Sequence, residues 1–460
     1  MKPRRKMQLT LFLSSLVAML GVPVVSFANT ATPNINAGDT AWILASSALV
    51  LIMTPGVAFF YGGLVRTKNV ITTMFQVFAV ILVVSIQWVI VGYSLAFGPD
   101  FHGIVGGLQW ALFSGVGAAP NSYAPTLPAT VFAIFQMMFA IITPALIVGG
   151  LAERVKFSAF LVFIVLWATL IYDPLAHWVW GGGWLQKLGV LDFAGGTVVH
   201  ISSGIAGLVA ALYLGKRAEH GTEIKAHNVP FVVLGTALLW FGWFGFNAGS
   251  ALAANGVSAN AFLTTNTATA AAALGWMLVE KLRTGHVTLV GACAGAVAGL
   301  VAITPAAGFV TPGASLVLGF IGGGICYFAS NLMKNKLGYD DALDAFGGHG
   351  IGGIWGAFAT GLFATTVVNS AGANGLFAGN AVQLWHQIIG ILATVVFSGI
   401  GSWILLKVVD LVMGLRVTRE EELMGLDYTL HRESAYPETL STDELAKIFK
   451  GQKSSQAAGE

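Results

Sequence analysis

The chain has 460 residues, of which 56% are hydrophobic and only 10% charged, with a formal net charge of +2. A soluble domain carries about 25% charged residues, and the apolar residues here come in blocks of about 20, the length that crosses a hydrocarbon core about 30 Å thick. This excludes a set of soluble domains and gives no case for a nucleic-acid partner; the class is an all-α, polytopic membrane protein.

The first 28 residues read as a secretory signal peptide: "MKPRRKMQ" is a basic stretch, "LTLFLSSLVAMLGVPVV" an apolar one, and "SFA" places small residues before a cleavage point. An uncleaved first helix is the alternative; either way the following residues start on the outside. Residues 29–413 then hold about eleven spans, near 40–62, 70–97, 128–151, 157–179, 194–215, 229–248, 259–281, 286–303, 313–333, 345–366 and 383–412. Alternate connections carry Arg66 and Lys68, Arg154 and Lys156, Lys216, Arg217 and Lys225, Lys281 and Arg283, and Lys334 and Lys336, whereas the intervening ones hold only Lys187. The positive-inside rule therefore places the N-terminus outside and the C-terminus in the cytoplasm, which demands an odd number of spans. Residues 414–460 form a charged cytoplasmic tail. Its arginines Arg416, Arg419 and Arg432 alternate with Glu420, Glu421, Glu422 and Glu433, a mixture that suits surface contacts better than deep burial.

Two spans carry an ionisable pair. Asp192 precedes His200 by eight residues, with Gly204 and Gly207 following; Asp341 precedes His349 by the same eight, with Gly353 and Gly356 at the matching offsets. The repeat implies two homologous halves of five helices and a final helix, and an odd helix number per half inverts the second half, an architecture that builds its site near the midplane. Ionisable groups at membrane depth are costly and usually face a pathway or a partner, so the histidines are the candidate functional pair. The two aspartates open their helices, where a carboxylate caps backbone N–H groups; electrostatic support of a cation is the alternative for Asp192. Two histidines without a third ligand make a poor metal site, and Cys293 and Cys326 offer neither a disulfide pattern nor a ligand spacing, so no metal and no cofactor are expected.

The segments "GLAERVKFSAFLVFIVLWATLIYDPLAHWVWGGGWL", "LDFAGGTVVHISSGIAGLVAALYLGKR", "WFGFNAGSA" and "FGGHGIGGIWG" resemble the ammonium transporter (Amt/Mep/Rh) family, in its bacterial Amt branch, from about Thr40 to about Tyr436. The resemblance implies a homotrimer in the bacterial inner membrane, each protomer with its own narrow hydrophobic pore. It implies that Phe139, Trp180 and Ser250 form an outer recruitment site for ammonium or methylammonium, and that Phe139 and Phe246 form a stacked gate below it. His200 and His349 then line the pore, Asp192 supports the recruitment site, and Trp243 and Thr304 belong to the pore environment. Taken alone, Trp180 reads rather as an interfacial anchor and the two phenylalanines as core aromatics. The tail resembles the Amt tail through Gly425, Ala435 and Tyr436, which implies docking of a P-II signalling protein at the cytoplasmic face. The function implied is ammonium transport, not enzymatic catalysis. An ammonium sensor with secondary transport and an Rh-like carbon dioxide channel are the alternatives; the short tail speaks against the first and the bacterial-type motifs against the second.

Overall fold

Among the residues described by this computed structural model, 35–220 and 226–436, nine helices are long and apolar enough to cross a membrane. They are α1 (Ala37–Leu64), α2 (Thr67–Phe97), α3 (Ala129–Leu151), α4 (Phe157–Leu188), α5 (Gly196–Leu214), α6 (Val229–Gly249), α7 (Gly256–Thr284), α9 (Pro312–Leu337) and α11 (Ala381–Met413). Two of the expected spans take a shorter form. Helix α8 (Leu289–Ile303) has 15 residues, about 22 Å by helical rise, and is mostly buried. Helix α10 joins the π turn Phe346–Gly350 to Ile351–Phe363, and its many glycines and His349 dilute the hydropathy that length alone would supply. The expected signal peptide and the tail beyond Tyr436 lie outside the described residues.

Side-chain caps mark several helix starts. Asn228, Asn255 and Thr288 accept from Phe231, Ser258 and Gly291 backbone N–H groups at 3.0, 3.0 and 2.9 Å, supplying partners that the first turn lacks. Burial then sorts the bundle. Protein surrounds 94% of the apolar window of α3 but only 33% of that of α11, so α3 runs through the centre and α11 along the periphery.

Close approach between helices relies on small residues, as expected where lipid competes for apolar contact. On α6, a Cβ at Gly235 would lie 2.3 Å from the Phe60 nitrogen of α1, and one at Gly245 would lie 2.6 Å from the Leu49 Cβ. The two halves meet reciprocally. A Cβ at Gly204 of α5 would fall 2.1 Å from the Gly350 nitrogen of α10, and one at Gly353 of α10 would fall 3.0 Å from the His200 Cβ of α5. Within each half the third helix packs on the fifth by the same device: a Cβ at Gly150 of α3 would meet the Gly207 oxygen at 2.2 Å, and one at Gly356 of α10 the Ala302 oxygen of α8 at 2.3 Å. The repeat is thus a packing symmetry, and its axis passes beside the histidines.

A two-stranded hairpin, β1 (Asp100–Phe101) and β2 (Val105–Gly106), follows α2. It sits on the face that carries Trp180 and Lys187. The opposite face is held by ion pairs. Glu153 pairs with Arg66 and Arg217, and Asp340 with Arg154 and Arg217, at 2.8–2.9 Å. Burial alone would raise the Glu153 carboxyl, but the Arg217 and Arg66 guanidiniums outweigh it and hold the group below its usual range. Asp340 is likewise buried, and Arg217 and Arg154 hold it well below that range.

On this basic face the tail is built into the protein rather than laid on it. Backbone bonds join Lys156 N to Leu415 O and Val417 N to Arg154 O. Glu422, 5% exposed, accepts from the Arg416 guanidinium and the Ala218 N–H. Asp427, 3% exposed, accepts from Ile71 N at 2.9 Å and Thr72 N at 2.7 Å. The expectation of superficial contact therefore fails for Glu422, which exchanges water for fixed donors that alternation of charge along the tail does not reveal. Gly425, at φ +102 between the helix Arg419–Met424 and the turn Asp427–His431, has no room for a Cβ, which would lie 2.5 Å from the Lys68 Cβ.

Candidate functional site

On the Trp180 face a cavity of about 290 Å³ opens between α3, α4 and α6, lined in part by Phe139, Trp180 and Ser250. Trp180 presents its edge to Phe139, with ring centroids 6.0 Å apart, and its indole N–H donates to the Asp192 carbonyl at 2.9 Å. Ser250 donates its hydroxyl proton to the Phe246 carbonyl at 2.8 Å, so what it can offer an incoming donor is a lone pair. Gln136, one turn before Phe139, also lines the cavity, and its buried Oε1 has no partner. Tyr123, stacked at 5.6 Å on Phe132, and Phe193 complete the aromatic wall. None of these four stood out in the sequence. For Gln136 the signal existed, a polar residue at i−3 from Phe139 in an otherwise apolar helix; for the other three, surrounding aromatics hid it.

Phe139 and Phe246 are fully buried and stack 4.3 Å apart at 26° directly below the cavity. Phe246 lies 6.1 Å from the His200 ring, and Trp243, itself 5.3 Å from Phe246, stacks on that ring at 5.3 Å. The Trp243 N–H donates to Thr304 Oγ1 at 2.8 Å, and Thr304 in turn donates to Leu300 O, which fixes the indole and through it the imidazole.

His200 and His349 approach through their Nδ1 atoms at 3.4 Å, rings 5.4 Å apart and nearly parallel. A bond between two Nδ1 atoms needs one donor and one acceptor, so the pair shares a single proton there and the two neutral rings take opposite tautomers. His200 Nε2 is buried without a partner. Each histidine lies in a π turn, Gly196–Ile201 or Phe346–Gly350, a widened helical turn that often marks functional positions.

The aspartates lie at the two helix starts. The Asp192 carboxylate accepts from Gly195, Gly196 and Thr197 N–H groups at 2.7 Å, from Val198 at 3.3 Å and from the Thr197 hydroxyl. Asp341 accepts one backbone bond, from Phe346 at 2.8 Å, and its second oxygen has no partner. Burial, with the Asp344 carboxylate nearby, pushes Asp341 up to about 6. A second cavity of about 1120 Å³, lined by Lys216, Arg217, His220, Lys334 and Asp340, opens on the basic face. Among the described residues no three histidine, cysteine, aspartate or glutamate side chains cluster as a metal site would need, and Cys293 and Cys326 are buried free thiols.

The chain is a polytopic helical membrane protein in which an aromatic cavity, a stacked phenyl pair and an imidazole pair follow one another. The profile of the Ammonium Transporter Family matches residues 41–436, and the chain belongs to that family. It is 57% identical over 403 residues to an ammonium transporter of Bacillus subtilis (strain 168), covering 88% of this chain and 99% of that one. Its structure resembles Mep2 of Candida albicans with a TM-score of 0.80 at 40% identity, covering 84% and 88% of the two chains. A sensor Amt protein aligns with a TM-score of 0.79 at 29% identity, covering 86% of this chain and 98% of that one.

Proposed function

We propose that the protein recruits ammonium at Phe139, Trp180 and Ser250, removes its proton there, and conducts ammonia past the Phe139–Phe246 gate along His200 and His349. The observation that carries this reading is the in-line order of aromatic cavity, stacked phenyl pair and imidazole pair. An unpaired ion in an apolar medium costs tens of kcal/mol by Born reasoning. Aromatic faces return about 2 kcal/mol per desolvated cation contact, and the Ser250 lone pair accepts one N–H bond. Potassium can use the same aromatic faces but cannot give up a proton, so selectivity belongs to the apolar passage. The proton either stays outside or travels along the imidazoles, and the charge moved per ammonia distinguishes the two.

By the positive-inside rule the Trp180 face is external and the basic face cytoplasmic, in a bacterial inner membrane, with residues 1–28 as signal peptide, 29–413 as transport domain and 414–460 as tail. Helices α8 and α10 complete eleven crossings in this reading. Three copies form a homotrimer, and the tail with the basic-face cavity receives a P-II signalling protein. The decisive experiment measures ammonium uptake and current in liposomes with potassium as competitor. Uptake excluded by potassium at equal concentration, or potassium current of similar size, sinks the reading. A second reading, an ammonium sensor with secondary transport, is favoured only by the match to the sensor Amt protein.

A further inference from the structure

Three residues before Trp180, the His177 side chain is completely buried within α4. Its Nδ1 lies 3.0 Å from the Ala96 carbonyl and its Nε2 lies 2.9 Å from an Asp100 carboxylate oxygen. A carbonyl oxygen only accepts, and so does an ionised carboxylate. Asp100 also takes the Lys187 ammonium at 2.7 Å and the Gly103 N–H at 2.7 Å, and Lys187 and then His177 hold its carboxyl well below the usual carboxylate range. Both ring nitrogens must therefore donate, which requires an imidazolium.

This ring joins three segments around the outer mouth: the end of α2 through Ala96, the β1–β2 hairpin through Asp100, and the segment that carries Trp180. The His177 carbonyl accepts from Gly181 N at 3.0 Å and Gly183 N at 2.9 Å, and Tyr123 donates to the Gly181 carbonyl at 3.1 Å. Gly181 has no space for a side chain, since a Cβ would lie 2.0 Å from the Ala96 oxygen and 2.7 Å from His177 Nδ1. Trp180 is thus held between this knot and its own bond to the Asp192 carbonyl.

We propose that His177, as an imidazolium clamped between Asp100 and Ala96, is a positioning residue that fixes Trp180 for recruitment. The inference rests on Trp180 being part of the recruitment site. Asp100 on the hairpin also holds Lys187, near the end of α4, and Tyr123, on the loop before α3, reaches the adjoining Gly181 carbonyl. Tyr93 on α2 takes a bond from Asn121 instead, and His386 on α11 lies against Gly189. A neutral His177 has one donor for two acceptors, so either the hairpin or the α2 end is released.

The test uses the full-length protein in liposomes, with ammonium current measured against ammonium concentration. His177→Gln raises apparent KM several-fold with little change in maximal current. Asp100→Asn, which keeps the ring but removes the charge that holds it, raises KM in the same direction. Nitrogen NMR of histidine-labelled protein, wild type minus His177→Gln, should show both ring nitrogens protonated at neutral pH. A ring with one bare nitrogen overturns the proposal, as do wild-type KM values in both variants. Trp180→Leu separates the two levels: wild-type KM in that variant defeats the recruitment reading, whereas raised KM there with wild-type behaviour at His177→Gln defeats only the present inference.

Discussion

The two halves of the molecule repeat one pattern, Asp followed by His eight residues later, and give it unequal surroundings. In the first half the Asp192 carboxylate closes four backbone N–H groups and a hydroxyl, and its carbonyl holds Trp180. In the second half Asp341 closes one N–H, faces Asp344 and leaves an oxygen unpartnered. Only the histidines are equivalent, each meeting the other across the axis. An inverted repeat thus keeps alike what lies on its axis and frees what lies at its two ends, because the ends lie on different faces of the protein.

The largest effect should come from the shared centre. Replacing His200 and His349 together with alanine is expected to abolish selective ammonium uptake, or to admit potassium where water fills the space. A double variant that transports ammonium and excludes potassium as the wild type does removes the proton-handling role.

Asymmetry between the aspartates comes next. Asp192→Ala leaves several buried donors without an acceptor and should cost at least about 2 kcal/mol. Asp341→Ala should cost about 1 kcal/mol or less, the scale of a single lost cap. Equal shifts in the unfolding midpoint in detergent would show that the halves are energetically alike after all.

The carboxylates also differ in pH response. Asp341 is raised to about 6, so the stability it adds as a neutral acid is present at low pH and is lost as pH rises through that value. Asp341→Asn should therefore flatten the stability profile between about pH 4 and pH 6. Glu153 and Asp340 are lowered, so their contribution is full above the ordinary carboxylate pKa of about 4 and disappears as pH falls through their lowered values. Thermal unfolding followed across that range reads both signs, and a profile unchanged by Asp341→Asn counts against the buried neutral acid.

The smallest expected changes lie at the mouth and the tail. Trp180→Leu and Ser250→Ala each remove one contact, of about 2 kcal/mol and about 1 kcal/mol respectively, and should weaken apparent affinity while leaving potassium excluded. Truncation at Gly414 should lower transport and abolish P-II binding without preventing insertion. Liposome currents and a pull-down with P-II decide these; potassium leak through Ser250→Ala, or full activity of the truncated protein, contradicts them.

Much of this protein can be read from its sequence because membrane burial leaves marks along the chain. Apolar blocks announce crossings, and the spacing of Asp192, His200, Gly204 and Gly207 against Asp341, His349, Gly353 and Gly356 announces a repeat. Those signals are local, set by hydropathy and helical period. What each polar group meets is decided only in three dimensions. Asp100 reaches His177 across 77 positions, and Ala218 reaches Glu422 across 204. Gln136 and Tyr123 join a cavity that no periodicity outlines. Nothing near Asp192 or Asp341 in the chain tells that one accepts four backbone bonds and the other one, because a carboxylate's environment depends on which donors the folded backbone turns toward it.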